Sequence, residues 1–94
     1  VVEVTLLTQE HCAFCEQAKE VLGRLSGEYP ISVRELDLAT PEGQELAWHG
    51  GVMFPPGIFV AGVPFSYGRP SEKKLRSELE RRLAQREARG EDKR

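Results

Sequence analysis

Two side chains of this sequence can do covalent chemistry with one another, and they sit three positions apart. They are Cys12 and Cys15, in the run His11-Cys12-Ala13-Phe14-Cys15, and the chain has no other cysteine. So short a spacing makes a poor structural staple, because closing a small loop removes little entropy from the unfolded chain. A secreted mini-domain held by disulfides would carry several pairs at wide spacing. The pair is therefore expected to be chemical, in one of two ways. As a dithiol, one thiolate attacks a sulfur of a target disulfide and the other resolves the mixed disulfide. As soft ligands, the two would hold a metal ion or an iron–sulfur cluster, with His11 as a third donor.

The elements that must position the pair can be read on either side of it. Residues 1–8 (VVEVTLLT) are β-branched and apolar, as in a buried strand. Phe14, Ala18, Val21, Leu22 and Leu25 then recur with helical period, and Gly27 and Pro30 stop the pattern. Cys12 thus falls at a helix N-terminus, where unsatisfied N–H groups favour a thiolate and lower its pKa below the ~8.5 of a free thiol. Cys15 falls one turn further in, on the same side. His11, beside Cys12, would add to that stabilisation when protonated.

Residues 31–38 (ISVRELDL) alternate imperfectly but read best as a strand. Thr40-Pro41 reads as a cap and first turn of a short helix through Trp48, ended by Gly50-Gly51. Residues 58–61 (IFVA) are a strand of fully buried type, turned at Gly62 into Phe65-Ser66-Tyr67, with Pro64 placed most easily near an edge. Ser71 caps a last helix with Leu75, Leu79 and Leu83 as its seam. The order β-α-β-α-β-β-α demands a parallel crossover first and an antiparallel hairpin last. The expected fold class is α/β, with a mixed four-stranded sheet and helices on both faces.

With these residues in place the sequence resembles a glutaredoxin, within the thioredoxin-fold superfamily, over about residues 2–85. The resemblance rests on Thr8-Gln9-Glu10-His11-Cys12-Ala13-Phe14-Cys15 after the first strand and on residues 54–62 (FPPGIFVAG). It implies a thioredoxin fold and a disulfide reductase, with Cys12 the nucleophile and Cys15 the resolving thiol. It implies a cis-proline at Pro56 facing the cysteines. Phe14, Pro55, Pro56 and His11 would then line the substrate groove, with the backbone of Pro55 pairing to an extended substrate. The sequence also departs from the family. Ala13-Phe14 replaces the common Pro-Tyr, and Gln9 stands where many glutaredoxins have a lysine for a glutathione carboxylate. Gly68-Arg69-Pro70-Ser71 replaces a Gly-Gly followed by an acid. Both of the latter changes count against tight glutathione binding and against a glutathione-bridged cluster.

Composition sets the outer limits. The chain has 94 residues, 39% hydrophobic and 30% charged, which is one domain with one modest core. Thirteen bases against fifteen acids give a net charge of −2, which argues against nucleic acid as partner. Residues 1–69 hold four bases and nine acids, whereas the alternating charges of the last helix read as a solvated face. No apolar run is long enough for a membrane span, and no secretory leader is legible. The expectations are a monomeric cytoplasmic protein with a domain at 1–88 and a frayed tail at 89–94. Its partners would be protein or small-molecule disulfides and a recycling reductase, glutathione or other small thiol. No tightly bound cofactor or metal is expected. Trp48 is expected to serve packing rather than to stack on substrate, Tyr67 is expected to serve packing or else to form part of the groove wall, and His49 is given no chemistry.

Overall fold

A computed structural model describes the chain through Asp92, and its side chains through residue 85. The elements are β1 (Val2–Thr8), α1 (Ala13–Ser26), β2 (Ile31–Asp37), α2 (Pro41–Gly50), β3 (Gly57–Val60), β4 (Val63–Tyr67) and α3 (Glu72–Asp92). The strands form one mixed sheet in the order β2-β1-β3-β4. β1 pairs parallel with β2, from Val2↔Ile31 to Thr8↔Asp37. β3 pairs antiparallel with both β1 and β4, with a register shift between Ile58 and Phe59. Pro64 sits on the edge strand β4, where a missing N–H costs the ladder least.

The core lies on one face of this sheet. Val2, Val4 and Leu6 of β1 and Ile58 and Val60 of β3 pack against Ala18, Val21, Leu22 and Leu25 of α1 and Leu75 and Leu79 of α3. All of these are buried, and they are the residues that the period-two and helical patterns select. Alternate residues of the central strands, Leu7 and Phe59, are buried on the opposite face. There α2 approaches so closely that a β-carbon on Gly50 would fall 2.4 Å from the Phe59 ring. Only a residue without a side chain lets the helix end settle on that ring. Helices thus cover both faces, as the pattern requires.

The helix ends follow local chemistry. Thr40 caps α2 by accepting from the Gly43 N–H at 3.0 Å, and Pro41 occupies the first turn. Ser71 accepts from the Lys74 N–H at 3.3 Å as α3 begins. An ionic cluster ties α3 to α1 and to the loop after it. Arg24 meets Glu72 at 2.7 Å, and Arg76 meets both oxygens of Glu28 at 2.6 and 3.0 Å. Tyr29 hydrogen-bonds Glu80, and the Arg76 guanidinium lies over the Tyr29 ring. α3 continues past Ala88 to Asp92, so the segment expected to fray there is helical backbone that far. No proline interrupts that stretch, and Arg89 and Glu91 are helix formers. Residues 93–94 lie outside the described residues.

Two further expectations are corrected. Trp48 is 84% exposed rather than packed, because the inward face of α2 is formed by Gly43, Leu46, Ala47 and Gly50 and Trp48 lies off it. Tyr67 is 43% exposed at the end of an edge strand rather than in the core.

Candidate functional site

The sheet register brings four strand ends to one edge. β1 ends at Thr8, beside Asp37 at the end of β2. β3 begins at Gly57 opposite Leu7, and Tyr67 at the end of β4 lies opposite Gly57. The loop carrying the cysteines leaves the sheet here, and the Pro55–Pro56 segment enters it here. Crossing the edge, the order is therefore Asp37, Thr8 with the cysteine loop, Pro56, and Tyr67.

Cys12 is the N-cap residue of α1. Its Sγ accepts a hydrogen bond from the Cys15 N–H at 3.1 Å, and its carbonyl accepts from the Glu16 N–H at 3.2 Å. A sulfur that replaces the usual capping oxygen is thus aimed at the amide dipoles of the first turn, which stabilise negative charge there. Cys12 and Cys15 are disulfide-bonded, with Cα atoms 5.2 Å apart. The two sulfurs are not equivalent. Cys12 is half-buried, whereas Cys15 is 1% exposed and belongs to the buried stripe of α1. An approaching reagent reaches Cys12 first.

His11 turns the chain into the helix with φ 56°, a left-handed conformation uncommon outside glycine, and its side chain is exposed. Phe14, between the cysteines, is 42% exposed on the first turn of α1. The Pro55–Pro56 peptide bond is cis. Pro56 is buried, Pro55 is half-buried, and the Pro56 carbonyl accepts from the Gly68 N–H at 2.9 Å. The structure therefore gathers His11, Cys12, Phe14, Cys15, Pro55 and Pro56 around one edge of the sheet. Among the described residues no group of three or more His, Cys, Asp or Glu side chains is arranged to hold a metal ion, and His11 does not complete such a set.

Two features of this edge escape the residue-by-residue reading. A cleft of about 580 Å³ runs along the β2 side of Cys12, lined by Glu10, His11, Glu16, Lys19, Glu35 and Asp37 among others. Lys19 is shared between Glu16 at 2.9 Å and Glu35 at 3.3 Å, and these carboxylates hold its pKa above the ordinary lysine value. On the other side, Phe54 and Tyr67 stack edge-to-face with ring centroids 5.1 Å apart. Gly68, with φ 81°, leaves room for that stack, since a β-carbon there would lie 2.7 Å from the Phe54 ring. The signal for the carboxylates was present in β2. Its alternation breaks at Glu35 and Asp37, which share a face with Ile31 and Val33. They break it because that face ends at the cleft and not in the core.

Comparison with known proteins agrees with the geometry. The profile of the Glutaredoxin-like domain (DUF836) matches residues 3–80. No curated protein matches the chain. Similar solved structures include a point mutant of thioredoxin from Halobacterium salinarum, 24% identical, with TM-score 0.64 over 84% of this chain and 72% of that one. Thioredoxin O2 from Arabidopsis thaliana in the oxidised state is 21% identical, with TM-score 0.67 over 86% of this chain and 74% of that one. An uncharacterised thioredoxin-like protein from Clostridium perfringens is 15% identical, with TM-score 0.71 over 85% and 69% of the two chains. What these structures share with this chain is the thioredoxin fold.

Proposed function

The chain belongs to the glutaredoxin-like domain family (DUF836), and from that premise we propose that it reduces protein or small-molecule disulfides by dithiol exchange through Cys12 and Cys15. The coarser role, a thiol–disulfide oxidoreductase of thioredoxin type, follows from the family, the fold and the close cysteine pair. One observation carries the finer reading. The more exposed sulfur is the one at the helix N-terminus, and the buried sulfur lies within bonding distance behind it.

In the reduced protein the Cys12 thiolate attacks one sulfur of the target disulfide. A mixed disulfide forms and the other target sulfur leaves as a thiolate. Cys15 then loses its proton and attacks Cys12 Sγ, which releases the second target thiolate and closes the Cys12–Cys15 disulfide. Two electrons pass from the protein dithiol to the target. The first-turn amides stabilise the attacking Cys12 thiolate. Phe14, Pro55, Pro56 and His11 would contact the target on this edge. Glutathione, another small thiol or a reductase would restore the dithiol, and no tightly held cofactor takes part. A monomer acting in the cytoplasm is the setting that fits this chemistry. Among the described residues no helix is long and apolar enough to cross a membrane.

The test is Cys15→Ser. It should react with disulfides through Cys12 and remain trapped as a mixed disulfide, whereas Cys12→Ser should neither reduce nor trap. Trapping through Cys15 in the Cys12→Ser protein would reverse the assignment. Failure of both variants to trap anything would remove the exchange reading.

A further inference from the structure

The reactive edge has two unlike flanks. Toward β2 lie Glu10, Glu16, Glu35 and Asp37, four carboxylates against the single ammonium of Lys19. That ammonium is already shared by two of the four, which leaves Glu10 and Asp37 without a lysine or arginine salt bridge among the described residues. Toward β4 lies the Phe54–Tyr67 stack, with Phe54 55% and Tyr67 43% exposed, and Met53 beside it 75% exposed. Beyond Tyr67 the sign reverses, because Arg69, Lys73 and Lys74 line the groove at the start of α3. The disulfide sits between an acidic flank and an aromatic one, so a partner that fits one flank is poorly matched to the other.

Resting on the exchange reading above, we infer that the preferred target is a disulfide in an extended protein segment, with a basic residue on one side of the reacting cysteine and an apolar residue on the other. The basic side lies over Asp37 and over Glu35, whose charge Lys19 neutralises only in part because Glu16 shares it, and the apolar side lies over Phe54 and Tyr67. The sheet sets the spacing. Neighbouring strands are ~4.8 Å apart and an extended chain advances ~3.3 Å per residue. β2 is one strand from β1, so the cation belongs within about two residues of the target cysteine. β4 is two strands from β1 on the other side, so the apolar side chain belongs about three residues away. Anionic small disulfides meet net negative charge on the β2 flank. The carboxylates act on encounter and orientation, and the bond changes remain those at Cys12 and Cys15.

Nine-residue peptides with one central cysteine, capped as the methyl disulfide, test this directly. One carries Lys and Leu at the stated positions, a second carries them in reversed chain direction, and a third carries Glu in place of Lys. The reduced protein is mixed with each at low and high salt, and oxidation of Cys12 and Cys15 is followed by mass spectrometry. The Lys peptide, in one of its two directions, should react roughly tenfold faster than the Glu peptide at low salt. The ratio should shrink at high salt, where exposed charges are screened. The double variant Glu35→Gln, Asp37→Asn should bring the ratio toward one, and reading a ratio cancels any general change in activity. Phe54→Ala should erase the advantage of Leu over Ser in the Lys peptide. Equal rates for Lys and Glu peptides, an unchanged ratio in the double variant, or glutathione disulfide reacting as fast as the Lys peptide would overturn the inference. In each of those cases methyl-capped N-acetylcysteine amide would still be reduced. If that neutral disulfide is not reduced either, the exchange reading itself has failed.

Discussion

Gly50→Ala reverses the usual sign of a glycine-to-alanine change in a helix. Gly50 is the last residue of α2. By propensity alone, alanine would stabilise the helix by up to ~1 kcal/mol. The added β-carbon would instead lie 2.4 Å from Cζ and 2.6 Å from Cε2 of Phe59, a side chain only 2% exposed. Forcing a methyl group into packed space costs roughly 1–3 kcal/mol, and contacts this short belong to the upper part of that range, ~2–3 kcal/mol, which outweighs the gain. A net loss of ~1–2 kcal/mol in a domain of this size lowers Tm by roughly 4–16 °C. Gly23→Ala is the matched control, because no neighbouring atom lies within 4 Å of its β-carbon position in α1. It should raise stability by ~0.5–1 kcal/mol. Phe59→Leu removes the colliding ring atoms, so Gly50→Ala should cost much less in that background. Thermal and urea unfolding of the oxidised protein, followed by far-UV circular dichroism, measure all of these variants. A neutral or stabilising Gly50→Ala, or an undiminished cost in the Phe59→Leu background, would refute the seating of α2 on Phe59. That seating matters to the site because residues 51–56 run from the end of α2 to Pro56.

Two further outcomes follow from the same geometry. Hydrogen bonding from Arg76 holds the Glu28 carboxyl below the ordinary carboxylate range, from Arg24 that of Glu72, and from Arg81 that of Glu78. A depressed carboxyl pKa contributes stability that is complete above the unfolded value of ~4.3 and is lost as pH falls through the folded value. Tm should therefore hold level near neutral pH and fall below about pH 4, and Arg76→Ala should flatten that fall; an acid limb identical in the variant would contradict the assignment. Gly68→Ala places a side chain at φ 81° and 2.7 Å from the Phe54 ring, so it should displace the Phe54–Tyr67 stack. Near-ultraviolet circular dichroism should change in the aromatic region, and an unchanged spectrum would show that the stack does not depend on that glycine.

The chemistry of the site was more legible than its selectivity. Cys12 and Cys15 declare themselves by spacing and by their place after a buried strand, because an N-cap and an apolar stripe leave a local imprint. The core of β1, β3 and α1 was legible for the same reason. Tyr67 and Trp48 were not, since an aromatic side chain reads as core until the sheet order shows that it lies on an edge or an outer helix face. Phe54 needed the tertiary fold as well, because its partner Tyr67 is distant in sequence and comes to it only through the β3–β4 pairing. Glu35 and Asp37 are the instructive case. They appear as faults in the alternation of β2, and only the parallel pairing with β1 shows that the fault marks the end of β2 nearest Cys12.

Dithiol exchange requires that two electrons leave this protein through Cys12 and Cys15 together. The direct measurement is intact mass and peptide mapping of the reduced protein after reaction with one equivalent of methyl-capped N-acetylcysteine amide. The expected result is loss of two hydrogens from the protein, a single new Cys12–Cys15 linkage, and one equivalent each of the two thiols released. A stable adduct on wild-type Cys12 that Cys15 does not resolve, or substrate reduced with both cysteines still free, would contradict it.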